Sequence, residues 1–171
     1  GDTSLIILEY ARKIEQLKDS SYLIVGESNN KMLLLKTDKL GNILWKKDFT
    51  VSTGIGRGWS FSLAPEGGII LCGDIFFPSP VAVYPYIVKT DGNGNFEWQK
   101  VYSDLLDVTA NDIITSENKE YYFCAGEYIR KIDYLGNLIW TTSYKKNYEF
   151  VSLRSLAIEV PNVLYAGGNS D

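Results

Sequence analysis

A chain of 171 residues that is 45% hydrophobic and 13% aromatic fits one globular domain with a sizeable core rather than a disordered segment. Its formal charge of −4 and the lack of any basic run argue against a nucleic-acid surface, and no apolar run approaches the length of a membrane span. The chain contains no His, which removes a Ser-His-Asp triad, a Cys-His pair and a His-ligated metal; mechanisms built on carboxylates alone pass that filter.

In chain order, residues 4–8 read as a short apolar strand outside any repeat. Arg12 to Lys18 are of mixed polarity, and Ala11 to Lys18 is the one stretch with a helix-like pattern, although it aligns with first strands elsewhere. After an Asp19-Ser20-Ser21 turn, Tyr22 to Gly26 reads as a strand buried on both faces. Met32 to Leu35 then leads into a stretch that organises the chain, Lys36-Thr37-Asp38-Lys39-Leu40-Gly41-Asn42-Ile43-Leu44-Trp45, and Phe49 ends the unit. The second unit opens with Trp59 to Leu63, turns at Pro65 to Gly68, and continues with Ile69 to Gly73. A longer loop is expected from Asp74 to Pro85 before the stretch that ends at Trp98. The third unit runs from Val108 to Thr115, turns at Glu117-Asn118-Lys119, and reaches Trp140 through Tyr121 to Gly126. A fourth starts at Phe150, with Val151 to Glu159, a Pro161-Asn162 turn, and Val163 to Gly167.

The organising stretch occurs three times, with Asp38, Gly41 and Trp45, then Asp91, Gly94 and Trp98, then Asp133, Gly136 and Trp140. Two short apolar runs around Gly-Asn make a β-hairpin, with the Gly in the left-handed conformation and the Asp accepting from turn amides. The Trp on the second strand is expected to act as glue between units, worth up to ~5 kcal/mol at ~25 cal/mol per Å² over ~200 Å². A catalytic carboxylate is rarely repeated in register, so all nine residues read as structural. The Trp positions lie 53 and 42 residues apart (98 less 45, 140 less 98). Four strands in ~40–50 residues is the period of a propeller blade. The expected fold is therefore an all-β propeller of four-stranded antiparallel blades, about 3.5–4 of them, in a single domain over 1–171. The expected blade bounds are 9–50, 57–103, 108–146 and a partial 150–171.

With the strand that precedes it, the repeated hairpin resembles the propeller repeats of bacterial and archaeal cell-surface proteins and the wider quinoprotein-type (PQQ-like) family. The resemblance covers roughly residues 9 to 171 and implies a secreted or cell-surface scaffold. Quinoprotein enzymes bind pyrroloquinoline quinone through dedicated residues that have no match here, and the Asp-to-Gly gap is one residue shorter than usual. No cofactor and no metal site is carried over.

A partial fourth blade leaves strand edges to be managed. Closure by residues 4–8 onto the fourth unit is slightly favoured. A fragment of a longer propeller and β-augmentation onto another copy stay open. Cys72 and Cys124 read as small buried hydrophobes on opposite strand faces, not a disulfide. In the second blade's loop, Phe76, Phe77, Tyr84 and Tyr86 are expected to form an exposed apolar patch beside three prolines. Gly54 to Gly58 is no phosphate loop, because a strand and not a helix follows; it reads as a flexible connector. Asp91 to Asn95 lacks the Gly and Glu that a calcium loop needs. The expected function is non-catalytic: a surface scaffold for a protein partner or self-association, without nucleic acid or membrane span. The alternatives are a glycan or small-ligand binder using the aromatic loop, or a glycosidase or lyase using carboxylates such as Glu15 and Asp112.

Overall fold

A computed structural model describes residues 10–145, 151–159 and 163–170. The apolar segment 4–8, Phe150 and the Pro161-Asn162 turn lie outside the described residues. The first blade comprises β1 (Tyr10–Gln16), β2 (Tyr22–Ser28), β3 (Lys31–Thr37) and β4 (Ile43–Phe49). The second comprises β5 (Ile55–Leu63), β6 (Ile69–Pro78), β7 (Val81–Thr90) and β8 (Phe96–Val101). The third comprises β9 (Ala110–Thr115), β10 (Tyr121–Ala125), β11 (Tyr128–Ile132) and β12 (Leu138–Ser143). Each is an antiparallel meander, and β13 (Val151–Glu159) pairs with β14 (Val163–Ser170) as a half-blade. The described residues contain no helix. The helix-like stretch from Ala11 is strand because it pairs along its length with β2.

The blades stack face to face, each burying its trailing face under the next blade's leading face. Leu23, Val25, Met32 and Leu34 of the first meet Phe61, Leu71 and Val88 of the second. Ile70, Cys72 and Ile87 meet Ile113 and Phe123 of the third, whose Tyr122, Cys124 and Ile129 in turn meet Leu153 and Leu156. Among the described residues, no strand pairing joins the first blade to the half-blade. Every inner strand carries a bulge at the same place, and the residues just past it are linked. Lys13 Nζ donates to Ser60 Oγ (3.1 Å), Ser60 Oγ to Asp112 Oδ1 (2.6 Å), and the Leu156 amide to Asp112 Oδ2 (2.9 Å). Asp112 thus spends both oxygens on holding inner strands together.

The three Asp turns are near-copies. Asp38 Oδ1 accepts the amides of Leu40 (2.8 Å) and Asn42 (2.9 Å), and Oδ2 accepts Asn42 Nδ2 (2.8 Å). Asp91 with Asn93 and Asn95, and Asp133 with Leu135 and Asn137, repeat the pattern. The Asn42 side chain leads in holding the Asp38 carboxyl below its ordinary range, and the Asn95 amide does so for Asp91. Each Trp then works on the next blade's turn. A Cβ on Gly94 would lie 2.8 Å from the Trp45 ring, and one on Gly136 would lie 2.8 Å from the Trp98 ring. Lys47 Nζ reaches Asn95 Oδ1 (3.1 Å), and Lys100 Nζ reaches Asn137 Oδ1 (2.6 Å). Trp98 Nε1 also donates to the Tyr134 carbonyl (3.0 Å).

Four expectations need correction. Trp140 is exposed and meets Tyr122 edge-on within its own blade, because no described turn lies beyond it to cover it. Gly56 and Gly58 form no flexible connector; they lie in β5, where a Cβ on Gly58 would fall 2.9 Å from the Gly26 carbonyl oxygen. Asp74 to Pro85 is mostly an extension of the β6–β7 hairpin, paired out to Pro78 and Val81 around a cis Ser79-Pro80 bond. Cys72 and Cys124 occupy the same place in successive blades, paired with Ser60 and Asp112, because Ala125 rather than Gly126 stands where Gly73 does. Both are free and buried, and burial raises both thiol pKa values, that of Cys124 to about 12.

Candidate functional site

The bulge in each inner strand sets which residue faces the inner edge of the second strand. It pairs Tyr10 with Glu27, Arg57 with Asp74 and Ser152 with Asn169. Glu27, Asp74 and Asn169 therefore hold equivalent places, each directly after a Gly of the second strand. They lie at the end of the propeller opposite the Asp turns, where β2 joins β3 and β6 joins β7.

Asp74 is the centre of this rim. It is 1% exposed. Its Oδ2 accepts Trp59 Nε1 (2.8 Å) and Thr109 Oγ1 (3.2 Å), while its Oδ1 has no hydrogen bond. Arg57 stands between two carboxylates, with Nη1 3.5 Å from Asp74 Oδ1 and Nε 3.9 Å from Glu27 Oε2. The Arg12 guanidinium lies 3.9 Å from the centre of the Trp59 ring. Burial raises the Asp74 carboxyl above its ordinary pKa, against the opposing pull of Trp59, Arg57 and Thr109. Among the described residues, Arg130 Nε is the other buried side-chain polar atom without a hydrogen bond, but the Arg130 guanidinium is held by Asp104 through Nη1 (2.9 Å) and Nη2 (2.5 Å). Asp74 Oδ1 is thus the buried acceptor with bonding capacity to spare.

The aromatic residues picked from the sequence do not form one patch. Phe76 projects from the Asp74 face of β6, and its ring lies 5.5 Å from the Arg57 guanidinium. Phe77, Tyr84 and Tyr86 take the other face, toward the first blade. Phe77 and Tyr84 are half-buried with ring centroids 6.3 Å apart. Tyr86 is fully buried and donates to Gln99 Oε1 (2.5 Å). Glu15 is half-buried on β1. Glu27, Arg57, Trp59 and Asp74 escaped the sequence reading. Their available signal was a charged residue directly after Gly26 and Gly73, where an apolar strand meets the rim.

The arrangement offers carboxylate acceptors, guanidinium donors and an indole within one rim, a set suited to a polar ligand rich in hydroxyl groups. Among the described residues, no three His, Cys, Asp or Glu side chains are grouped to hold a metal.

No family model matches the sequence, and no curated protein matches it. Among solved structures, the chain is similar to a protein of unknown function from Bacteroides caccae, at 12% identity and TM-score 0.61, covering 90% of this chain and 51% of that one. It is also similar to a gluconolactonase from Xanthomonas campestris, at 9% identity and TM-score 0.56, covering 94% and 55%. Identities this low speak to the fold alone, and the fold is an all-β arrangement of propeller blades. This chain spans about half the length of each of these neighbours.

Proposed function

We propose that this protein is a ligand-binding propeller whose rim takes a small sugar-derived molecule rich in hydroxyl groups. The observation that carries the reading is the buried Asp74 carboxylate, held by Trp59 and Thr109 through one oxygen while the other has no hydrogen bond. A ligand hydroxyl donating to Oδ1 would repay part of the cost of burying that carboxylate. Arg57 and Glu27 would fix the ligand's orientation, and Trp59 would offer an apolar edge to a sugar ring. The gluconolactonase similarity at 9% identity directs the choice of first probes. A secreted or cell-surface location is the one that the repeat resemblance implies.

The test is calorimetric titration with sugar lactones, the corresponding aldonic acids and neutral monosaccharides. At least one class is expected to bind, with affinity lost in Asp74→Ala and weakened in Trp59→Phe. If none of the three classes binds, or if Asp74→Ala binds as the parent does, the reading fails.

A further inference from the structure

The leading face of the second blade is closed. Phe61, Leu71 and Val88 are 0% exposed and Ile69 is 2% exposed, all under the first blade. Their register equivalents in the first blade are Ile14, Ile24, Leu35 and Tyr22. There Leu35 is just as buried, at 2% exposed, but beside it a groove of about 390 Å³ runs along Ile14, Tyr22 and Ile24 and reaches Gly41 and Ile43 at its outer end. Ile14 is 62% exposed and Ile43 47% exposed. A Cβ on Gly41 would meet nothing within 4 Å, whereas one on Gly94 or Gly136 would strike a Trp. Lys47 bonds Asn95 and Lys100 bonds Asn137, whereas Asn42 receives no such Lys among the described residues.

We propose that this groove is a docking surface for a further blade of the same repeat, one whose outer strand presents Trp and, two residues on, Lys. Two covered junctions in the same molecule define what fits: an indole over the Gly of the turn, an ammonium on the following Asn, and apolar residues of the second and third strands over the groove. The third blade of a second copy is a poor occupant, because its trailing face already carries Leu153 and Leu156. The half-blade is poorer still, since β13 and β14 contain no Trp. The similar solved chains are about twice as long, which leaves room in that architecture for blades beyond those described here.

The test appends residues 55–101 ahead of Gly1 in the full chain, so that residues 1–9 join the blades as 50–54 and 102–109 do. Hydroxyl-radical footprinting then reads the exposed side chains. Oxidation of Ile14 and Tyr22 is expected to fall severalfold relative to the parent chain, with Tyr144 as the unchanged reference. Trp98→Ala with Lys100→Ala in the appended copy alone is expected to restore labelling, as is Gly41→Val in the receiving turn. Unchanged labelling of Ile14 and Tyr22, or an appended unit that stays protease-sensitive, overturns the proposal. Protection already present in the parent chain overturns it too: at monomer mass the cover is the chain's own residues 1–9, and at dimer mass it is a second copy.

Discussion

Gly94 and Gly41 stand at the same point of the same turn, both at positive φ, with near-identical hydrogen bonds around Asp91 and Asp38. One lies under an indole and the other faces open space. The Trp residues divide the same way, Trp45 and Trp98 covering a neighbour's turn while Trp140 is exposed. The repeated hairpin is therefore half a joint. Its local geometry forms without a neighbour, but its packing energy exists only where a second blade supplies the other half.

The largest effect should separate the two kinds of Trp. Trp98→Ala removes a ring packed on Tyr121 and Gly136 and a hydrogen bond to the Tyr134 carbonyl. It is expected to cost about 3 kcal/mol in urea unfolding, the low end for a large aromatic because the ring is only half-buried. Trp140→Ala should cost less than about 1 kcal/mol, since the ring's main described contact is an edge on Tyr122. Equal losses would mean that the indole acts within its own blade and that the joint is misread.

The glycines sharpen the same contrast. Gly41→Ala and Gly94→Ala both place a side chain at positive φ, a strain of about 1 kcal/mol. Gly94→Ala also drives a methyl to 2.8 Å from the Trp45 ring, adding about 1–3 kcal/mol of overpacking. The difference between the two variants, measured by unfolding, isolates the joint from the turn. A difference near zero would show that Trp45 yields freely and does not hold the blades.

The hairpin was legible in sequence because its chemistry is local. Asp, Gly-Asn and Trp at fixed offsets specify a turn and a face with no knowledge of what lies opposite. The blade order followed from the period. What the Trp covers was not legible, because that depends on whether a next turn exists. Pro78, Pro80 and Pro85 suggested a loop, yet Pro78 lies past the last β5 pair at Phe76, Pro80 is in the turn, and Pro85 lies past the last β8 pair at Tyr86, so each falls where the strand edge tolerates Pro. The rim stayed hidden because Glu27 and Asp74 belong to different repeats and meet only through Arg57. A charged residue after a strand-ending Gly reads as an ordinary loop start until the bulge shows which way it points.

The smallest expected effect lies at that rim, and its sign differs from those at the joints. Burial raises the Asp74 carboxyl in the folded chain above its unfolded value. The native state then holds the Asp74 proton to higher pH than the unfolded state does. This contribution to stability is full below the unfolded pKa, near 4, and is lost as pH rises through the folded value. Asp74→Asn removes that slope. It keeps an acceptor for Trp59 and Thr109, and Arg57 retains Glu27. At neutral pH the variant should be more stable than the parent, with the gap closing toward pH 4. In the same variant ligand affinity should fall, which is the signature of a carboxylate kept for binding at a cost to folding. A variant less stable than the parent at neutral pH would mean that Arg57 and Trp59 need the charge for packing, and that the rim is structural like the turns.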